Sequence, residues 1–123
     1  MSIKLTKDFN SKEFICYCGC GLSAMDFGFM RILQKIRDEY GKPMIITDKG
    51  GIRCFNANLK CGGAKASYHL KGRAADIACN SSGDRLILVR IALKHGIGGI
   101  GIGKTFLHVD DRPPAVGNLW HYY

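Results

Sequence analysis

Two histidines and two aspartates in this chain are spaced as metal ligands often are. His69 and Asp76 lie in the run Ser67-Tyr68-His69-Leu70-Lys71-Gly72-Arg73-Ala74-Ala75-Asp76, and His108-Val109-Asp110 follows downstream. A neutral imidazole and a carboxylate are ordinary zinc ligands, and three protein ligands with one open position make a catalytic rather than a structural site. The first expectation from these residues is a small zinc hydrolase.

The elements that must carry them can be read from the same residues. A helix would put residues four apart on one face, so His69 and Asp76 are not a helical ligand pair. Gly72 stands between them, where a tight turn can use a residue without Cβ. Arg73 to Cys79 then has the small and apolar residues of a short strand, which puts Asp76 on a sheet. Phe106-Leu107-His108-Val109-Asp110 alternates, so Phe106, His108 and Asp110 share one strand face while Leu107 and Val109 share the other.

At these positions the chain resembles the zinc D-Ala-D-Ala carboxypeptidases and related peptidoglycan peptidases of the M15 type, whose fold is shared with lysostaphin-like and hedgehog domains. The resemblance rests on Gly51-Ile52-Arg53-Cys54 with Asn58, Gly62-Gly63-Ala64, the Ser-x-His-x-x-Gly-x-Ala-x-Asp run from Ser67 to Asp76, His108-Val109, and Trp120 near the end. It implies that His69, Asp76 and His108 ligate zinc. It implies also that Arg53 steadies a carbonyl or carboxylate of the substrate, to which an arginine offers planar, bidentate contact.

The carboxypeptidase-type members carry an acidic residue three positions before the last zinc histidine and a histidine two before it. Here Thr105 and Phe106 hold those places, and the usual general base is missing. Asp110, on the strand face of His108, is the expected replacement, with His121 in reserve; a base must come within hydrogen-bond reach of the attacking water, directly or through one water. The reaction so implied is amide hydrolysis in peptidoglycan stem peptides, with zinc activating water and Arg53 and the metal stabilising the oxyanion. The reading from another class is a zinc-containing cell-wall or protein-binding module that has lost catalysis.

A chain of 123 residues makes one domain, expected over residues 1–123, with a core large enough to stand without staples. At 46% hydrophobic and 23% charged its composition is that of a globular protein. No stretch approaches the roughly 20 apolar residues of a membrane span. The start, Met1 to Asp8, has no apolar core of a signal peptide. Work on a cell wall, outside the cell or in the periplasm, would then need another route: release as a phage lysis enzyme, carriage by a tail or secretion system, or excision from a larger protein. The formal charge of +8 is spread along the chain rather than clustered, as on a solvated surface. It argues against a nucleic-acid partner and suits an anionic cell wall, with the chain expected to act as a monomer on peptidoglycan peptides.

The order of elements reads as α+β: a small central antiparallel sheet carrying the zinc site, with two main helices packed on it. Ser23-Ala24-Met25-Asp26 resembles a capping box, and Met25, Phe29, Ile32, Leu33, Ile36 and Tyr40 follow at helical spacing until Gly41-Lys42-Pro43. Met44 to Thr47 reads as a short buried strand, Asp48 to Tyr68 as a long loop carrying Arg53, and Asp84 to His95 as a second helix capped by Ser82 or Ser81. Ile97 to Asp110 reads as a glycine-rich hairpin. Its glycines match the dinucleotide-binding string, but that string should follow a strand and open a helix, and here the order is reversed. His95 fits a helix C-terminus.

Six cysteines remain. Cys16, Cys18 and Cys20 alternate too closely to bridge one another comfortably, and Cys54, Cys61 and Cys79 lie elsewhere. Many disulfide pairings are open to six cysteines, and a second, structural zinc on Cys16, Cys18, Cys20 and Cys54 is another reading.

Overall fold

In the computed structural model, which describes residues 2–123, the second half of the chain forms a four-stranded sheet. Its strands are β1 (Ala74–Ala78), β2 (Gly99–Ile102), β3 (Phe106–Asp110) and β4 (Asn118–His121), in the order β1-β3-β2-β4. The expected antiparallel pairing holds for β1 with β3 and for the β2–β3 hairpin, while β4 adds itself parallel to β2, making the sheet mixed. Alternation sorts the side chains. Ala75, Ile77, Ile100, Leu107 and Val109 point into the core, leaving the opposite face to the polar residues.

Two long helices cover the apolar face: α1 (Phe27–Tyr40) and α3 (Ser82–Lys94). Phe29, Met30, Leu33 and Ile36 recur at helical spacing and are buried, as are Leu88, Ile91 and Ala92 of α3. Each large apolar side chain so buried contributes roughly 1.5–3 kcal/mol. The first helix starts later than the Ser23 box implies. Asp26 is the N-cap, its carboxylate accepting the Phe29 N–H at 2.9 Å, so Met25 lies outside the helix. Gly41, in the left-handed conformation at φ 72°, ends it. At α3 the cap is Ser81.

The segment between helix α1 and strand β1 departs from expectation in two places. Met44 to Thr47 makes no regular strand; it touches β1 through one bridge, Ile46 to Ile77, with Thr47 N–H donating to the Asp76 carbonyl. Thr47 already turns away, its carbonyl accepting from Gly50 N–H, which leaves no length for a ladder. The long loop also contains a short helix, α2 (Phe55–Lys60), capped by the Cys54 side chain in place of the usual oxygen. Its apolar residues are too few to show a helical period in the sequence.

Candidate metal centre

Strand register builds the polar face. Asp76 of β1 stands opposite His108 of β3, His108 opposite Gly101 of β2, and Gly101 opposite Trp120 of β4, so these four form one row across the sheet. Gly101 must lack a side chain, because a Cβ there would lie 2.8 Å from the Trp120 indole. Across that gap Trp120 leans over His108, ring centroids 5.1 Å apart. In the next row Ala74, Asp110, Gly99 and Asn118 align, and a Cβ on Gly99 would collide with the Asp110 carboxylate. The glycines of the hairpin thus make room for an indole and for a carboxylate.

His69 comes from outside the sheet, on a 3-10 turn, Tyr68–Lys71. The Ser67 hydroxyl accepts the His69 N–H at the start of that turn, and Gly72, left-handed at φ 67°, ends it. A Cβ at Gly72 would also press on the Ala24 carbonyl at 2.7 Å, so the turn is held against the segment before α1. The Ser-x-His-x-x-Gly-x-Ala-x-Asp spacing is therefore a capped turn followed by a strand.

These elements bring His69, Asp76 and His108 together, all three buried. His69 Nε2 lies 3.2 Å from Asp76 Oδ1 and 3.2 Å from His108 Nδ1, and His108 Nδ1 lies 3.0 Å from Asp76 Oδ1. Tetrahedral ligands bound at about 2.0–2.1 Å stand about 3.3 Å apart, so the triangle fits the donor set of a zinc ion with little adjustment. The other ring nitrogens fix the tautomers. His69 Nδ1 donates to the Gly51 carbonyl at 2.8 Å, and His108 Nε2 donates to Asp110 Oδ2 at 2.7 Å. Two ring lone pairs and a carboxylate oxygen consequently converge on one point in a buried place, which calls for a cation.

The electrostatics agree. Burial by itself would lower the His108 pKa, but hydrogen bonds to Asp110 and Asp76 raise it above its ordinary value. Burial would push the Asp76 carboxyl up, yet hydrogen bonds from His108 and His69 hold it well below the usual carboxylate range. A proton on His108 and a divalent ion are two ways of meeting the same demand.

Arg53 reaches the site and spends most of its donors on holding it. Its Nη2 donates to Asp76 Oδ2 at 3.3 Å, Nη1 to Asn58 Oδ1 at 3.2 Å and Nε to the Lys49 carbonyl at 2.9 Å. Of the five N–H groups of a guanidinium, two are left for a ligand. Asn58 in turn donates to the Ala64 carbonyl at 2.9 Å, and a Cβ on Gly63 would strike the Asn58 amide. Asn58, Gly63 and Ala64 thus form the buttress of Arg53.

Asp110 is on the strand face of His108, as expected, but it does not open on the cleft. It is 0% exposed, and beyond His108 it accepts from Arg112 Nε at 2.8 Å, Nη2 at 2.8 Å and the backbone N–H at 3.1 Å. Burial would raise its pKa, while His108 and Arg112 hold it well below the usual range. His121 departs further: it is exposed on the far side of β4 against Tyr123, while Trp120 and Tyr122, its neighbours on either side, line the cleft. Alternation along the strand accounts for this.

The cleft over the triad has a volume of about 750 Å³. Lys49, Arg53 and Arg112 give its wall positive charge, and Tyr68, Phe106, Trp120 and Tyr122 give it aromatic surface. Arg112 lies between Tyr68 and Trp120, 4.9 Å and 5.1 Å from their ring centroids, within the range of cation–π attraction. Tyr68, Arg112 and Tyr122 were not singled out by the sequence pattern. The Asp110-x-Arg112 spacing at a strand end is the signal that could have found the pairing behind His108.

A buried His-Asp-His triad at the floor of a charged cleft on an α+β sheet makes a candidate metal centre. The family model for Peptidase M15 matches residues 7–110, and the chain belongs to that family, whose members are metallopeptidases that typically hold zinc. A search of curated proteins found no match.

Proposed function

We propose that this protein is a zinc-dependent peptidase that hydrolyses an amide bond in peptidoglycan stem peptides, of the D-Ala-D-Ala carboxypeptidase or endopeptidase type. One observation carries the proposal: three acceptor atoms within 3.2 Å of one another, with the N–H of each ring committed elsewhere, at the floor of an accessible cleft. His69, Asp76 and His108 hold the metal. Zinc bound there supplies a Lewis acid for the scissile carbonyl and a water acidic enough to attack near neutral pH.

The chain's own residues do the rest. The free N–H groups of Arg53, with Lys49 and Arg112, orient an anionic peptide and stabilise developing negative charge on the carbonyl oxygen. Asp110, fully committed to His108 and Arg112, acts as a positioning residue that keeps Nδ1 of His108 turned to the metal. Proton transfer falls to Asp48. It is the other acidic side chain lining the cleft besides Asp76, it is exposed, and among the described residues it enters no ion pair. The formal charge of +8 suits attraction to an anionic wall, and the proposed place of work is outside the cytoplasm, with the chain acting as a monomeric single domain over residues 1–123.

A second reading, a zinc-containing cell-wall or protein-binding module without turnover, is favoured by the burial of Asp110 and by Thr105 at the family's acidic position. Mass spectrometry of muropeptides separates the two. Zinc-loaded wild type is expected to yield cleaved stem peptides, His69→Ala none, and Asp48→Asn a rate lower by about 10²- to 10⁴-fold with zinc content unchanged. Binding without cleavage by the zinc-loaded wild type would establish the module instead.

A further inference from the structure

A second cluster lies outside the cleft. The sulfurs of Cys16, Cys18, Cys20 and Cys54 all fall within 4.8 Å of one another. Cys16 Sγ is 3.5 Å from Cys18 Sγ, and Cys18 Sγ is 3.7 Å from Cys54 Sγ. Four thiolates around a zinc ion at about 2.3 Å stand about 3.8 Å apart, close to this spacing. Two disulfides would instead draw the sulfurs into couples about 2 Å apart.

The backbone is arranged around the sulfurs. Cys54 N–H donates to Cys16 Sγ at 3.4 Å, and Ala57 N–H donates to Cys54 Sγ at 3.4 Å. Such bonds favour the charged thiolate over the thiol. Gly19 and Gly21, at φ 85° and 89°, take left-handed turns that wrap the alternating cysteines around one point. Cys16 N–H closes that wrap on the Leu22 carbonyl at 2.8 Å. By contrast Cys61 stands outside the cluster, its Sγ directed to the Asn58 carbonyl at 3.5 Å.

We propose that Cys16, Cys18, Cys20 and Cys54 form a closed tetrathiolate site for a structural zinc ion, which clasps the N-terminal segment to the stretch that carries Gly51 and Arg53. Each thiol releases its proton as its sulfur bonds the metal, with no change of oxidation state. The clasp has consequences at the cleft. Gly51 supplies the carbonyl that orients His69, Ile52 N–H donates to the Phe14 carbonyl at 3.0 Å, and Arg53 follows directly. Tyr17, between two of the cysteines, adds a hydrogen bond to the Ala57 carbonyl at 2.6 Å. A metal at this point thus fixes the register of both ends against each other.

Elemental analysis and cobalt substitution test this. Reduced full-length protein loaded with zinc is expected to hold about two ions per chain, and about one after Cys18→Ser with Cys20→Ser or after His69→Ala with His108→Ala. The cobalt form of the His69→Ala, His108→Ala protein is expected to show thiolate-to-metal charge transfer and the intense visible bands of a tetrahedral site. This readout needs no cysteine variant to fold, and it is independent of peptidase activity. A cobalt spectrum without thiolate charge transfer would overturn the proposal. So would a metal content untouched by the cysteine substitutions, or intact-mass evidence that these cysteines are paired as disulfides in the protein as isolated without reductant.

Discussion

Replacing Asp110 by Asn separates a positioning carboxylate from a general base. Four donors converge on Asp110: His108 Nε2 and Arg112 Nη2 on Oδ2, and Arg112 Nε and its backbone N–H on Oδ1. An Asn amide offers one oxygen and turns its amino group toward donors, so at least one side of this network is lost. Hydrogen bonds to charged groups contribute about 1.5–3 kcal/mol each, and removing one partner of a buried pair costs about 3–5 kcal/mol. A fold stable by about 5–15 kcal/mol survives that loss, with a lower denaturation midpoint. Because the carboxylate that orients the His108 ring becomes a single neutral amide oxygen for which Arg112 competes, zinc affinity at the cleft is expected to fall about 10- to 100-fold, equivalent to about 1.4–2.7 kcal/mol. Competition titration against a chromophoric chelator reads the affinity, and muropeptide cleavage at saturating zinc reads turnover. The reasoning is refuted if Asp110→Asn binds zinc as tightly as wild type yet loses turnover by several orders of magnitude, the signature of a lost proton acceptor.

Other perturbations probe the supports of the site. Gly99→Ala places a Cβ against the Asp110 carboxylate and is expected to destabilise the fold by about 1–3 kcal/mol and weaken zinc binding with it. Denaturant unfolding and metal titration read both, and unchanged values would contradict the packing described. Arg53→Lys removes the forked contacts to Asp76, Asn58 and Lys49, and activity is expected to fall at least about tenfold while zinc stays bound, measured by cleavage rate and metal content. Zinc affinity at the cleft is expected to decline as pH falls through the histidine range. His108, its pKa raised above the ordinary value, holds its proton more tightly than a free histidine and competes for the site at higher pH. Asp76, held low, stays ionised throughout, so affinity that is flat between about pH 8 and 5 would oppose this assignment.

Much of the site was legible because strand alternation is a local code. Phe106 to Asp110 placed His108 and Asp110 on one face, and Gly72 marked the turn between His69 and Asp76, without any knowledge of the fold. What stayed hidden was depth. Alternation says which face Asp110 occupies, but its burial under Arg112 depends on Gly99 of a neighbouring strand and on register, which are tertiary facts. His121 lies away from the cleft lining for a related reason: once the tail pairs as a strand, adjacency to Trp120 in sequence means opposite faces. The short helix Phe55–Lys60 and the late start of α1, after its cap Asp26, were missed because their signals are single capping contacts, the Cys54 sulfur and the Asp26 carboxylate, rather than periodicity.

Anomalous diffraction at the zinc absorption edge, on crystals of the zinc-loaded protein, tests the central claim most directly. A peak is expected about 2.0–2.1 Å from His69 Nε2, Asp76 Oδ1 and His108 Nδ1, with Asp110 outside its coordination sphere. A cleft without that peak, or a metal bound through Asp110 in place of Asp76, would contradict it.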